Sequence, residues 1–414
     1  VKKLSFIKYK IIRILLSLII LVNYIYANVS VPKEQKVLLL YTGQGVKGGS
    51  RTYKINLYKY LKRENFPISF FLVNNPEIQE ELKYFNLPFY LCVTSARDQT
   101  VKYYADILAA LKNILDTEQI SIINCNTPRE VSLIKELREC SQKHPFSIVL
   151  TLHVDGLENS SCLKDIDGVI AVSPQIEQKI KKINKQKNLN IKTIDWCPPF
   201  FDAERFLKFK PEYSRKDFFK KNFNIDILDS PIICMIGNFL KNNWKDCPTL
   251  FNAIKKIIFD YKIPVQLILA GDGPLINQAE RLVKNLKISE YVHFLGYTQL
   301  IPELLFHSDI NVLVSHNEAF GIAILEAALM KKPIVGTKDT GMENVIKDKI
   351  TGLLFEKEEA NDLAQKIMLL LKNKKLCEYL ENSVYLYVRE NFMPEGSIKK
   401  IKNFYLKVGS HDKN

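Results

Sequence analysis

The stretch INVLVSHNEAFGIAILEAALMKKPIVGTK, residues 310–338, runs from a β-branched segment through a polar loop into an apolar segment of helical length and out to a second β-branched segment. INVLVS has the length and composition of a buried strand, and FGIAILEAALM is long enough for a buried helix. The proline of PIVGTK separates that helix from the next strand. Strand, helix and strand in this order are the unit of a parallel α/β sheet. One residue does not fit the pattern, because Glu326 stands inside the apolar helix. With a helix start near Phe320, it lies about 9 Å along the axis at ~1.5 Å per residue. Its neighbours three and four positions away are Ile322, Ala323, Leu329 and Met330, none of which pairs with a carboxylate. A buried charge without a partner is costly, so Glu326 requires a partner from another element or from a ligand. The paired hydroxyls of a ribose would serve.

Glu318 precedes the helix, in the loop after INVLVS, and Gly321 falls within the first helical turn. A helix N-terminus presents unpaired amides and a partial positive charge, so Phe320, Gly321 and Ile322 are candidate donors to an anionic, hydroxyl-rich ligand. On spacing alone, a solvated Glu318 and a Glu326 that meets a lysine of another element fit equally well.

The same alternation extends outward in both directions. Strands are expected at VLLLY (37–41), ISFFLV (68–73), FYLCV, ISIINC, FSIVLTLH and GVIAVS, and again, after a break, at PIICMIGNF, VQLILAGDGP and VHFLG. The break, CPPFFDAERFLKFKPEYSRKDFFKKNFNID (197–226), has prolines, charge and no clean period. The fold class expected is therefore α/β, with two Rossmann-like, doubly wound parallel sheets facing a central cleft, since such sheets bind ligands at the carboxyl ends of their strands. The expected boundaries are a first domain over 28–205, a linker over 206–230, a second domain over 231–385, and a helical tail over 386–414 that crosses back to the first domain.

A chain of 414 residues with 47% hydrophobic content is long enough to bury two cores. Its eight cysteines are scattered singly, without a C-x-x-C pair or a His/Cys cluster, so neither a zinc site nor a disulfide framework is expected. The net charge of +14 is compatible with an acidic partner and equally with a composition rich in Lys, Asn and Ile along the whole chain. Nucleic acid is not expected, because no aromatic-interleaved basic stripe is present. The basic segment QIEQKIKKINKQKNLNIK (175–192) and the tail from Ser397 read either as solvated faces or as contacts to an anionic membrane surface. Residues 1–27, a cationic start followed by an apolar run to Tyr26 and then Ala27, read as a signal peptide or signal anchor. The apolar run is shorter than the ~20 residues of a spanning helix. This reading expects a membrane-associated or exported protein, and a misassigned start site would leave a cytoplasmic one.

EAFGIAILE, followed by AALMKKPIVGT and TGMENVI, resembles the E-x7-E signature of the retaining glycosyltransferases of family 4, which have the GT-B fold. The match covers most of 231–372 and includes IGNF, AGDGP, HFLG and TGLLF in order. VKGGSRTYKINLYKYL, LTLHVDG, VIAVS and PFFDAERF match more loosely in the first half. The resemblance implies that Glu326 holds the ribose hydroxyls of a nucleotide-sugar donor and that Glu318 lies beside the donor sugar. Amides around Phe320 to Ala323 would meet sugar hydroxyls and diphosphate. Lys245 would neutralise the leaving diphosphate, a catalytic role for a cation. Gly48 and Gly49 would let the backbone approach the ligand, Leu295 within Phe294–Gly296 would border the base, and His153 would face the reacting sugar. The resemblance further implies transfer with retention, no catalytic metal and no cofactor, and a lipid-linked, polysaccharide or protein acceptor. The alternatives are a GT-B nucleotide-sugar epimerase and an exported two-lobed binding protein without catalysis.

The chain departs from the family pattern twice. Asn238 stands where an arginine is expected, with Lys241 as a substitute that is a point charge and not a bidentate fork. Pro199 and Phe200 replace an asparagine-glycine turn before Asp202. Among the remaining polar residues, Asp272 reads as a turn former, Glu343 as a helix cap near the donor, and Trp196 and Trp244 as packing or rim residues.

Overall fold

The computed structural model describes residues 35–42, 49–94, 100–140, 145–153, 161–239 and 245–410. The N-terminal signal reading, Gly48, Lys241 and Trp244 lie outside the described residues. Among the described residues, no helix is long and apolar enough to cross a membrane.

The first domain alternates β1 (Lys36–Tyr41), α1 (Gly49–Arg63), β2 (Ile68–Val73), α2 (Pro76–Tyr84), β3 (Tyr90–Cys92), α3 (Val101–Thr117), β4 (Ile120–Cys125), α4 (Pro128–Cys140), β5 (Ser147–Leu152), β6 (Gly168–Ala171), α5 (Pro174–Gln186) and β7 (Thr193–Trp196). Its seven strands are parallel, in the order β3-β2-β1-β4-β5-β6-β7. Val37, Leu38, Leu39 and Leu40 of β1 have no accessible surface, because helices cover both faces of a parallel sheet. β7 escapes the sequence reading: TIDW is four residues long and carries two polar side chains, so it leaves no apolar run.

The second domain comprises α6 (Ala203–Leu207), α7 (Arg215–Phe223), β8 (Ile232–Ile236), α8 (Cys247–Phe259), β9 (Gln266–Ala270), α9 (Ile276–Asn285), β10 (Val292–Gly296), α10 (Ile301–His307), β11 (Ile310–Leu313), α11 (Ile322–Leu329), β12 (Ile334–Thr337), β13 (Leu353–Phe355), α12 (Ala360–Lys372) and α13 (Lys374–Asn391). Its six parallel strands run β10-β9-β8-β11-β12-β13. In each sheet the strand order reverses beside a central strand, between β1 and β4 in the first and between β8 and β11 in the second. Such a reversal opens a crevice at the strand ends.

Two expected boundaries are corrected. Residues 206–230 are not a linker: Phe218 and Phe219 of α7 are fully buried against Ile232, Cys234 and Ile268 of the second sheet. The chain changes core between Phe200, which packs in the first, and Phe201, which packs in the second. The cut at 385/386 falls inside α13, whose Val384 and Val388 belong to the second core together with Phe392.

α14 (Pro394–Ser410) then packs Ile401, Phe404 and Tyr405 into the first core with no accessible surface. Burying side chains of this size is worth roughly 1.5–3 kcal/mol each. The Tyr405 hydroxyl is 2.7 Å from Asn124 Nδ2, and the Thr151 hydroxyl donates to Asn124 Oδ1 at 2.9 Å, so β4, β5 and α14 share one buried polar chain.

Candidate active site

The second sheet builds one wall of the site at its reversal point. β8 ends at Ile236, the amide of the next residue, Gly237, donates to the Ala270 carbonyl at 2.9 Å, and Lys245 forms an isolated bridge to Ser315, just after β11. Asp246 follows and starts α8, its carboxylate accepting from the Thr249 amide at 3.1 Å. This side-chain cap satisfies one of the orphan amides of the first turn. The Lys245 side chain lies across Gly237: a Cβ at 237 would stand 2.7 Å from Lys245 Cε. Any other residue at 237 would therefore displace the lysine.

Lys245 Nζ is 2.7 Å from Glu318 Oε2, with side chains 13% and 22% exposed. The Glu318 carbonyl takes the Gly341 amide at 2.7 Å, which fixes the loop from the other side. Glu318 is thus not a solvated loop carboxylate. His316, on the same loop, places Nδ1 3.3 Å from Glu358 and Nε2 3.9 Å from Asp246, so it joins the loop to the residue after Lys245. Sequence reasoning missed His316, and nothing in S-H-N-E marks it.

α11 begins at Ile322, two residues later than expected, and Gly321 holds its N-cap position at φ 90° and ψ 73°. That left-handed conformation favours glycine. The Phe320 side chain is 2% exposed and packs edge-on against Phe392 at 5.3 Å, so only its backbone is placed to serve a ligand. Ile322 and Ala323 are half-buried. Ile322 faces the first domain, where a Cβ at Gly49 would lie 3.8 Å from its Cδ1. Asn344 donates to Gln175 across the same divide at 3.0 Å.

Glu326 lies one turn into α11, half-buried. Among the described residues, none hydrogen-bonds or pairs with its carboxylate, and no lysine reaches it. The surrounding protein pushes its carboxyl up to about 7: burial raises it, nearby Arg205 lowers it and Asp202 raises it. Arg205 and Asp202 come from the crossover into the second domain, and the quoted PFFDAERF is the signal that could have placed them beside Glu326.

The other expected residues have these surroundings. Asn238 is half-buried directly after Gly237. Leu295, near the end of β10, is half-buried and packs on the β8/β9 side of the sheet, and Phe294 packs at 6.1 Å from Phe239. Asp272 accepts from the Gly273 amide at 2.7 Å, a turn contact. Glu343 caps no following helix: its carboxylate accepts from the Asp339 amide at 2.7 Å and braces the preceding turn. Trp196 is a half-buried packing residue with Lys400 3.8 Å above its ring. Among the described residues no group of three His, Cys, Asp or Glu side chains converges at metal-ligand spacing.

His153 follows β5 on the first-domain side. Its ring meets Tyr53 edge-on at 4.8 Å, and its buried Nε2 has no hydrogen-bond partner among the described residues. Burial, followed by the neighbouring Lys54 ammonium, holds it down to about 3, so the imidazole is neutral near pH 7. Lys54 itself is 1% exposed and donates to the Leu40 carbonyl. Glu130, also buried, ties β1 to β4 by accepting from the Thr42 and Asn126 amides at 3.0 and 2.7 Å.

Comparison with known proteins gives this arrangement a family. Residues 216–386 match the family described as Glycosyl transferases group 1. The chain is 30% identical over 273 residues to the N-acetyl-alpha-D-glucosaminyl L-malate synthase of Bacillus anthracis, which covers 65% of this chain and 70% of that protein. It is 33% identical over 196 residues, 46% of this chain and 49% of the other, to the N,N'-diacetylbacillosaminyl-diphospho-undecaprenol alpha-1,3-N-acetylgalactosaminyltransferase of Campylobacter jejuni. The crystal structure of Anabaena HepE in complex with UDP-glucose superposes with a TM-score of 0.72 at 18% identity, covering 89% of this chain and 98% of that one. The chain belongs to the group 1 glycosyltransferases and has their GT-B fold.

Proposed function

We propose that the protein transfers a sugar, with retention, from a nucleoside diphosphate sugar to a glycan or lipid-linked acceptor. The observation that carries this reading is Glu326, a carboxylate without a hydrogen-bonding partner among the described residues, held in the cleft one turn beyond the glycine that opens α11. Two ribose hydroxyls are donors that such a carboxylate accepts from. The diphosphate then falls toward the first amides of α11 and toward Lys245, where the C1–O bond to the donor breaks. Charge develops on the leaving phosphate oxygen and on the anomeric centre. The lysine ammonium meets the first, and the neutral His153 faces the second without adding a positive charge. The acceptor hydroxyl enters from the same face as the departing phosphate, its oxygen bonds to C1 as the C1–O bond to the phosphate breaks, and its proton passes to the departing phosphate oxygen. Neither a catalytic metal nor a cofactor enters these steps.

The reading is supported by the relatives that carry N-acetylhexosaminyl transfer in their names and by the neighbour crystallised with UDP-glucose. It is tested without knowing the acceptor, by letting water take that role. Incubation with UDP-glucose and UDP-N-acetylglucosamine is followed by proton NMR at the anomeric resonance. Release of the α-anomer first is expected, and release of the β-anomer first would overturn retention.

A further inference from the structure

The protein itself supplies an anion partner to Lys245. Its ammonium is 2.7 Å from the Glu318 carboxylate, and both side chains are largely buried. Neither drifts easily from this position. The lysine stem lies against Gly237 and its backbone is bridged to Ser315, while the Glu318 loop is held by the Gly341 amide. A diphosphate that comes to Lys245 must therefore break this pair or share the ammonium with Glu318. Sharing sets two anions side by side in a partly desolvated site, where like charges repel strongly. No arginine is present at 238 to take up the excess.

The two forms of nucleotide differ in how they meet this problem. A bare nucleoside diphosphate ends in a phosphate with a second ionisable oxygen, which adds charge next to Glu318. An intact nucleotide sugar carries an ester there and brings hydroxyl groups, which donate hydrogen bonds to a carboxylate released from its lysine. Resting on the donor reading above, we propose that Glu318 is a specificity-determining residue: by competing for Lys245 it disfavours the bare nucleoside diphosphate relative to the intact nucleotide sugar. After transfer the sugar hydroxyls leave, the Lys245–Glu318 pair re-forms, and the product nucleotide is displaced.

The test is calorimetric titration of the full chain and its Glu318→Gln variant with inorganic pyrophosphate, UDP and UDP-N-acetylglucosamine. Pyrophosphate and UDP should bind the variant about tenfold more tightly, the scale of one competing ion pair. The affinity ratio of UDP to UDP-N-acetylglucosamine should move in favour of UDP. A merely structural role would weaken all three ligands, so tightening is diagnostic. Unchanged or weaker UDP and pyrophosphate binding in the variant, with normal binding by the wild type, would overturn the inference alone. Absence of wild-type binding to pyrophosphate and to all of UDP, GDP, ADP and their sugars would overturn the donor reading and the inference with it. Glu318→Ala, titrated in the same way, decides the matter if the glutamine variant does not fold.

Discussion

Glu326 is held at a cost to the protein. Its carboxyl is raised from 4.5 to about 7, with burial as the leading cause. An acid whose folded value lies above its unfolded one contributes stability fully below the unfolded value, and loses it as pH rises through the folded value. Between pH 5 and pH 8 the ligand-free protein should therefore lose stability that Glu326→Gln retains. The full shift corresponds to about 3 kcal/mol; partial access to water reduces the expected difference to roughly 1–2 kcal/mol. Thermal melts of the two proteins at both pH values check this, and a variant no more stable at pH 8 would contradict it. Ligand hydroxyls need the ionised form, so nucleotide affinity should rise as pH increases through about 7, and Glu326→Gln should lose that dependence along with most of the affinity. His153, held down to about 3, stays neutral over the same range and does not contribute to that limb.

At the scale of the element, α11 and the end of β8 act as one device. Gly237→Ala puts a methyl 2.7 Å from Lys245 Cε, too close for the lysine to keep its place. We expect pyrophosphate affinity to fall about tenfold with little change in melting temperature, since the methyl displaces the Lys245 side chain and meets no atom of the core. Gly321→Ala should act the opposite way, costing about 1–2 kcal/mol of stability because φ 90° is strained for any side chain; urea unfolding measures it. Strands such as VLLLY and ISFFLV were legible from sequence because parallel strands buried on both faces read as continuous apolar runs, whereas the short, half-polar β7 was not. α7 was not legible: its adjacent Phe218 and Phe219 are both buried amid lysines, a pattern with no helical period. The Glu318 to Glu326 spacing was visible because both residues lie on one short stretch. Their partners were not, since Lys245 is 73 residues from Glu318 and the Arg205 charge comes from the crossover.

For the whole molecule, the cleft depends on a chain that crosses between the domains twice. The outward crossing at 200–201 is tied to α1 by ion pairs, Lys59 to Asp202 at 2.8 Å and Arg63 to Glu204 at 3.2 Å. The return crossing delivers α14 to the first core, so this domain is completed by the last helix of the chain. Phe404→Ala should destabilise the first domain by about 3–5 kcal/mol, and Tyr405→Phe by only about 1 kcal/mol for the lost Asn124 contact. Limited proteolysis of the Phe404 variant should cut first within 35–196, and cutting first in the second domain would contradict that placement of α14. What holds the two walls in register is the setting for the site, and the site is where the account stands or falls. The direct measurement is a thermal-shift titration of the wild type, Glu326→Ala and Lys245→Met with UDP, GDP, ADP and their sugars. One nucleotide series should stabilise the wild type, with stabilisation reduced at least tenfold in apparent affinity by each substitution; a wild type that responds to none of them, or variants that respond as strongly, would contradict the account.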